Sequence, residues 1–257
     1  MIPYRLKWGE YMGKIIVVTS GKGGVGKSTV SALLGYFLKK NGKKTIIIEL
    51  DMGLRSLDIM MGTEDEISYD LSDILSGACE PYKAIRTAEK FGGLQFIPAP
   101  GTVTSSLDTE RFVALCIALK KNYDYVLVDS PAGIGELFRI ALRAADEALI
   151  VTTPDMVCMR DAANVSFILE EEGLSRQKLL INKLSKSAFK KSGIRDLDEI
   201  IDVVGVQLVG VAEQSDAVSD LSASGKLSSD DLDVMKEFSN IAKRICGEDV
   251  PLHIYKY

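Results

Sequence analysis

The stretch VVTSGKGGVGKSTVSALLG, residues 17–35, decides how the chain folds. It opens on the apolar, β-branched end of a strand and closes on the apolar stripe of a helix. Val30, Leu33 and Leu34, continued by Phe37 and Leu38, fall at i, i+3, i+4, i+7 and i+8. Between strand and helix, Gly21 to Ser28 (GKGGVGKS) satisfies G-x-x-x-x-G-K-[ST]. Glycines let the backbone curl until successive N–H groups face inward, and the helix start adds partial positive charge. Gly21, Lys22, Gly23, Gly24, Val25, Gly26, Lys27, Ser28 and Thr29 are therefore read as a cradle for nucleotide phosphates. Lys27 is placed to reach the β- and γ-phosphates, and the Ser28 hydroxyl to ligate Mg²⁺. A chance glycine-rich turn is the competing reading, and the strand before it and helix after it speak against that. One lysine suffices to hold phosphates. Lys22, in the same turn, either has a second task or is a solvated loop residue.

Outward from this unit, apolar β-rich runs alternate with helical patterns. The clearest strands are KIIVVTS (14–20), KTIIIEL (44–50), LQFIPA (94–99), DYVLVDS (124–130), EALIVTT (147–153), KLLINK (178–183) and VQLVGVA (206–212). Most are continuously apolar, as strands buried on both faces of a parallel sheet are. Gly42 supplies a stop for the first helix. A last helix is expected from about Asp230 to Cys246, with Val234, Phe238, Ile241, Ala242 and Ile245 on one face, Ser228 or Ser229 as cap and Gly247 at its end. The alternation implies an α/β fold: a single-domain, doubly wound, mostly parallel sheet with helices on both faces, of the P-loop NTPase kind. Met12 begins MGKIIVVTSGKGG, which reads as a start in its own right. Residues 1–13 are accordingly set apart as an N-terminal tail from a domain spanning 14–257.

Bulk properties narrow the function. With 257 residues, 46% hydrophobic and 26% charged, the chain buries a sizeable core. Its formal charge of −5 argues against coating DNA. Four scattered cysteines and one histidine offer no paired metal ligands. No signal peptide or membrane span is read, so a cytoplasmic location is expected. The strand YVLVD ends in Asp129, the position of a Walker B carboxylate that holds Mg²⁺ through water.

The K-G-G-x-G-K-[ST] pattern with Lys22 beside the first glycine resembles the deviant Walker A loop of the ParA/MinD family, and the resemblance extends from about Lys14 to Val250. It implies a homodimer in the ATP state, Lys22 reaching across the two-fold axis to the partner's nucleotide much as an arginine finger does. The segment IIIELDMGLRSLDIMMG resembles the family's switch I, which makes Asp51 the aspartate that orients the attacking water near Mg²⁺; without the family, Asp51 caps the next segment. Glu49 stands where the family usually carries Asp, so an altered metal shell or slower turnover is in question. DSPAG resembles switch II and implies that Gly133 offers its N–H to the γ-phosphate. Asn182 in LLINK matches an asparagine that reads the adenine edge, a turn-forming Asn being the alternative. NKLS lacks the aspartate of a guanine motif, favouring ATP. The segment VGVAEQSDAV lacks the family's proline, so base contacts from Glu213 to Asp216 are not assumed. TTPDMVCMRDAAN resembles a dimer- and partner-facing segment in which Asp161 takes part, or serves as a helix N-terminal carboxylate.

GLRSLD and DSPAGI favour the septum-placing branch over DNA partitioning. The expectation is an ATP-driven dimerisation switch with slow, partner-stimulated hydrolysis. It pairs catalytic Lys22, Lys27, Asp51 and Asp129 with Mg²⁺ held at Ser28, Asp51 and Asp129, and with a protein regulator of the division or polarity machinery. GEDVPLHIYKY lacks the family's basic amphipathic helix, so any membrane association is expected to be indirect. A weakly hydrolysing regulator of the flagellar-number kind and a partition ATPase are the alternatives; an iron–sulfur carrier of related fold lacks its cysteines here.

Overall fold

The computed structural model describes residues 13–52, 56–63, 68–102, 107–224 and 232–253. The tail at 1–12, part of GLRSLD, both candidate caps Ser228 and Ser229, and the last four residues lie outside them. Gly13, grouped with the tail on sequence, is bonded to the body: its N–H donates to the Lys120 carbonyl at 3.1 Å.

Eight strands form one sheet: β1 (Lys14–Thr19), β2 (Thr45–Glu49), β3 (Arg86–Ala88), β4 (Leu94–Ile97), β5 (Tyr125–Asp129), β6 (Glu147–Thr152), β7 (Gln177–Leu184) and β8 (Leu208–Glu213). Their order is β3-β4-β2-β5-β1-β6-β7-β8. Every pairing is parallel except β3 with β4, which is antiparallel at the edge. All seven expected strands are present. β3 was not read from the sequence, because three residues, Arg-Thr-Ala, show no periodicity.

Alternate residues of β1 feed opposite cores. Ile15 and Val17 join one apolar cluster, Ile16 and Val18 the other. Helices α1 (Lys27–Lys40), α2 (Ser56–Met61), α10 (Asp216–Ser224) and α11 (Leu232–Ile245) cover one face. Helices α3 (Leu71–Ser76), α5 (Thr109–Lys120), α6 (Glu136–Ala144), α7 (Met156–Glu171), α8 (Lys186–Ser192) and α9 (Leu197–Val204) contribute to the other; the one-turn α4 (Pro81–Ala84) leads into β3. Burial on both faces is why the strands are apolar without alternation. β1 lies between β5 and β6, so the chain winds to either side of it. The crevice at the carboxyl end of β1 is the place where such sheets bind ligands.

Helix α1 ends as expected. The Gly42 N–H reaches Lys39 O and the Lys43 N–H reaches Leu38 O, with Gly42 at φ 79°. Helix α11 presses its stripe on β8 so closely that a Cβ at Gly210 would lie 2.3 Å from Ile241 Cγ1 and 2.8 Å from its Cδ1. The Arg244 guanidinium adds bonds to the Val209 and Val250 carbonyls at 2.9 and 2.8 Å, holding the chain after α11 against β8. Gly210→Ala is expected to cost about 1–3 kcal/mol through overpacking. Urea denaturation checks this; an unchanged midpoint would show the strand and helix to be loosely docked.

Candidate active site

The phosphate loop spans the gap between β1 and α1. Gly24 and Gly26 have φ of 79° and 96°, left-handed values that side chains disfavour. Gly26 is also the N-cap of α1 and offers no side-chain cap. The first turn of α1 borders a cavity. That cavity measures about 690 Å³ and is lined by Gly24, Gly26, Lys27, Ser28, Thr29 and Asp51 among others, a size that admits a nucleotide.

Lys27 is 7% exposed. Burial lowers its pKa, while the Asp129 and Asp51 carboxylates oppose that fall. Asp129, fully buried at the end of β5, is pushed up to about 6 by burial, against the pull of the Ser28 hydroxyl, Lys27 and Ser31. The Ser31 hydroxyl donates to Asp129 Oδ1 at 2.9 Å. Asp129 Oδ2 is buried and has no hydrogen-bond partner among the described residues. An orphaned carboxylate oxygen beside a serine hydroxyl is a donor set that fits a hard cation, Mg²⁺. Asp51, half-buried on the same cavity wall, is raised by burial and lowered by Lys27. Lys27, Ser28, Asp51 and Asp129 thus meet at one place.

Glu49 does not. It is completely buried, in register beside Asp129. Its carboxylate accepts the Leu57 N–H at 2.9 Å and the Ala99 N–H at 3.3 Å, rather than facing the phosphate loop. Burial pushes it up to about 7, with the two N–H donors pulling it down.

Lys22 points elsewhere than Lys27. It lines a second cavity, about 430 Å³, with Thr153, Pro154 and Asp155, and is absent from the lining of the first. Its Nζ lies 4.0 Å from Asp155 Oδ1, both side chains about half exposed. Asp155 is the N-cap of α7, accepting the Val157 and Cys158 N–H groups at 3.1 Å. The Cys158 N–H holds its carboxyl below the ordinary range. This replaces the reading of Asp161 as the helix-terminal carboxylate. Asp161 lies in the second turn, packed on Gly21, where a Cβ would meet it at 2.4 Å.

Gly133 and Asn182 each bond to a backbone carbonyl of the loop or its entry. Gly133 has φ 84°, and its N–H is donated to Ser20 O at 3.0 Å. It is not a free phosphate donor in this state, and offering itself to a γ-phosphate requires that bond to exchange. Asn182, 6% exposed, donates its Nδ2 to Val25 O at 2.8 Å, which leaves its Oδ1 as the atom for a base. Glu213, Gln214 and Ser215 line the same cavity.

A family described as an AAA domain matches residues 13–171. The septum site-determining protein MinD of Bacillus subtilis (strain 168) is 37% identical over 249 residues, covering 95% of this chain and 92% of that protein. The chain belongs to the MinD family. Among solved structures, the MinC:MinD cell division protein complex of Aquifex aeolicus has a TM-score of 0.85 and 34% identity, covering 95% of this chain and 100% of that one. MinD complexed with Mg-ADP from Pyrococcus horikoshii OT3 has a TM-score of 0.80 and 26% identity, covering 91% and 96%.

Against this MinD background, the sequence reading missed Lys183 and Ser31. Lys183 is the one non-glycine among the described residues with positive φ, 57°. Its Nζ donates to Gly24 O at 2.7 Å, so Asn182 and Lys183 together tie the loop to β7. The Asn-Lys pair at the end of β7 was the available signal. Lys183→Gly removes the ammonium and the left-handed cost of about 1–2 kcal/mol; Lys183→Met removes only the ammonium. Both are expected to weaken ATP binding by about three- to tenfold, with the Met variant the less stable by about 1 kcal/mol. Denaturation and ATP titration measure the two effects; wild-type affinity in both variants would show that the loop needs no such clamp.

Proposed function

We propose that this chain is a Mg²⁺-dependent ATPase of septum-site placement that switches between monomer and ATP-bound homodimer. One observation carries the reading. The loop's two lysines are divided: Lys27 is buried against Asp129 in the nucleotide cavity, while Lys22 is half exposed and lines a second cavity instead. A lysine that serves its own nucleotide has no reason to face outward; one that serves a neighbour's has.

Lys27 and the uncapped start of α1 bind the triphosphate and neutralise its charge. Asn182 Oδ1 accepts from the adenine amino group, which favours ATP over GTP. Asp51 orients the attacking water. When bound, Mg²⁺ neutralises charge on the phosphate oxygens, and Ser28 and Asp129 are the residues that would hold it. Gly133 gives up Ser20 O for the γ-phosphate and so reports whether the third phosphate is present. Lys22 leaves Asp155, an exposed pair worth about 0–1 kcal/mol, to enter the partner's site. There it completes the charge balance of the transferring phosphoryl group. Hydrolysis removes the γ-phosphate that both lysines hold, and the subunits part.

The Aquifex aeolicus MinD was solved in complex with MinC, a cell division protein. A protein partner from the division machinery is the counterpart here. No helix among the described residues is long and apolar enough to cross a membrane.

Size-exclusion chromatography with light scattering tests the switch. The wild type is expected to elute as a dimer with ATP and a monomer with ADP. Lys22→Ala is expected to bind ATP yet stay monomeric and to lose on the order of 10³-fold or more in turnover. A Lys22→Ala variant that dimerises and hydrolyses as the wild type does would remove the trans role.

A further inference from the structure

Glu49 ends β2 and is completely enclosed, directly across from Asp129. It is absent from the lining of the nucleotide cavity. Oε1 accepts the Leu57 N–H at 2.9 Å and faces the Ser56 hydroxyl at 3.4 Å; Oε2 accepts the Ala99 N–H at 3.3 Å. Ser56 and Leu57 open α2, where backbone N–H groups lack helical partners and a carboxylate is favoured. Ala99 follows β4. One side chain therefore joins three pieces of backbone: the end of β2, the start of α2 and the exit of β4.

The position of α2 matters to the site. Ser56 and Met60 of α2 form part of the nucleotide cavity's wall, and Asp51 sits in the connection between Glu49 and α2. We propose that Glu49 is a positioning residue that fastens α2 to the sheet and so sets the place of Asp51, rather than a ligand of Mg²⁺. This rests on the ATPase reading above. The side-chain length is part of the argument. Aspartate is shorter by one carbon–carbon bond, about 1.5 Å, and cannot reach Leu57 and Ala99 together without moving the backbone. Glutamine has the reach but the wrong chemistry. Both Glu49 oxygens face N–H donors, so either orientation of an amide sets its NH₂ against one of them.

The test uses the full chain with Glu49→Gln and Glu49→Asp. Steady-state hydrolysis, Mg²⁺ titration and amide hydrogen exchange are measured side by side. The expected result for both is a kcat lower by about 10²-fold, the cost of a misplaced catalytic group, with the half-saturating Mg²⁺ and the affinity for ATP within about twofold of wild type. The Leu57 and Ala99 amides are expected to exchange at least about tenfold faster. A half-saturating Mg²⁺ raised about tenfold with both amides still protected would make Glu49 a metal ligand and overturn the proposal. Unchanged kcat with unchanged exchange would overturn it as well. Should Glu49→Gln fail to fold, Glu49→Asp, which keeps the buried charge, decides alone. The exchange readout needs no turnover: an inactive wild type would sink the ATPase reading, while the two amides would still decide whether Glu49 is the anchor.

Discussion

An ammonium group shut away from water beside a carboxylate is the constraint on which the site depends. Lys27 is buried, Asp129 more so, and burial moves each toward its neutral form. Two opposite charges in such a place compensate only in part, because each has given up its hydration. Among the described residues Asp129 Oδ2 has no hydrogen-bond partner, and Gly26 gives the first turn of α1 no side-chain cap. The loop thus holds a deficit of negative charge and of acceptors on one side, and of a cation on the other. A Mg²⁺-bound triphosphate corrects both at once. The rest of the sheet serves to keep this arrangement from relaxing before the nucleotide arrives.

Several contacts hold the loop rigid. Asn182 and Lys183, at the end of β7, bond to the carbonyls of Val25 and Gly24. Helix α7 packs Asp161 against Gly21, and its cap Asp155 lies near Lys22. Gly133, after β5, bonds to Ser20 at the loop's entry. Each of these partners belongs to an element beyond the loop itself. The loop is thereby joined to β5, β7 and α7, the elements through which the proposed assembly switch would act. The bonds differ in strength. Asn182 is buried and fixed, whereas the Lys22–Asp155 pair is exposed and readily exchanged.

The loop was legible because its signal is contiguous: a strand, four glycines in fixed places and a helix within residues 17–35. The seven apolar strands were legible because both their faces are buried. β3 was not, since its three residues carry no pattern, and its place on the edge is set by pairing with β4. Asp129 was legible from the apolar run it ends. The use of Glu49 was not, because the direction of its carboxylate is decided by Leu57 and by Ala99, the second fifty residues away and brought close only by the sheet. The same holds for the Gly133–Ser20 bond. Motifs report which groups are present; which group already has a partner is a property of the folded chain.

Triphosphate binding at the buried Lys27 ammonium is open to measurement. Unfolding by denaturant with and without Mg-ATP measures it most directly. For the wild type, nucleotide at about 100 times its dissociation constant should add about 2.7 kcal/mol to the unfolding free energy. Lys27→Met, which keeps the buried volume and removes the charge, should lose that increment. An equal increment in the variant, or none in the wild type, would contradict the account.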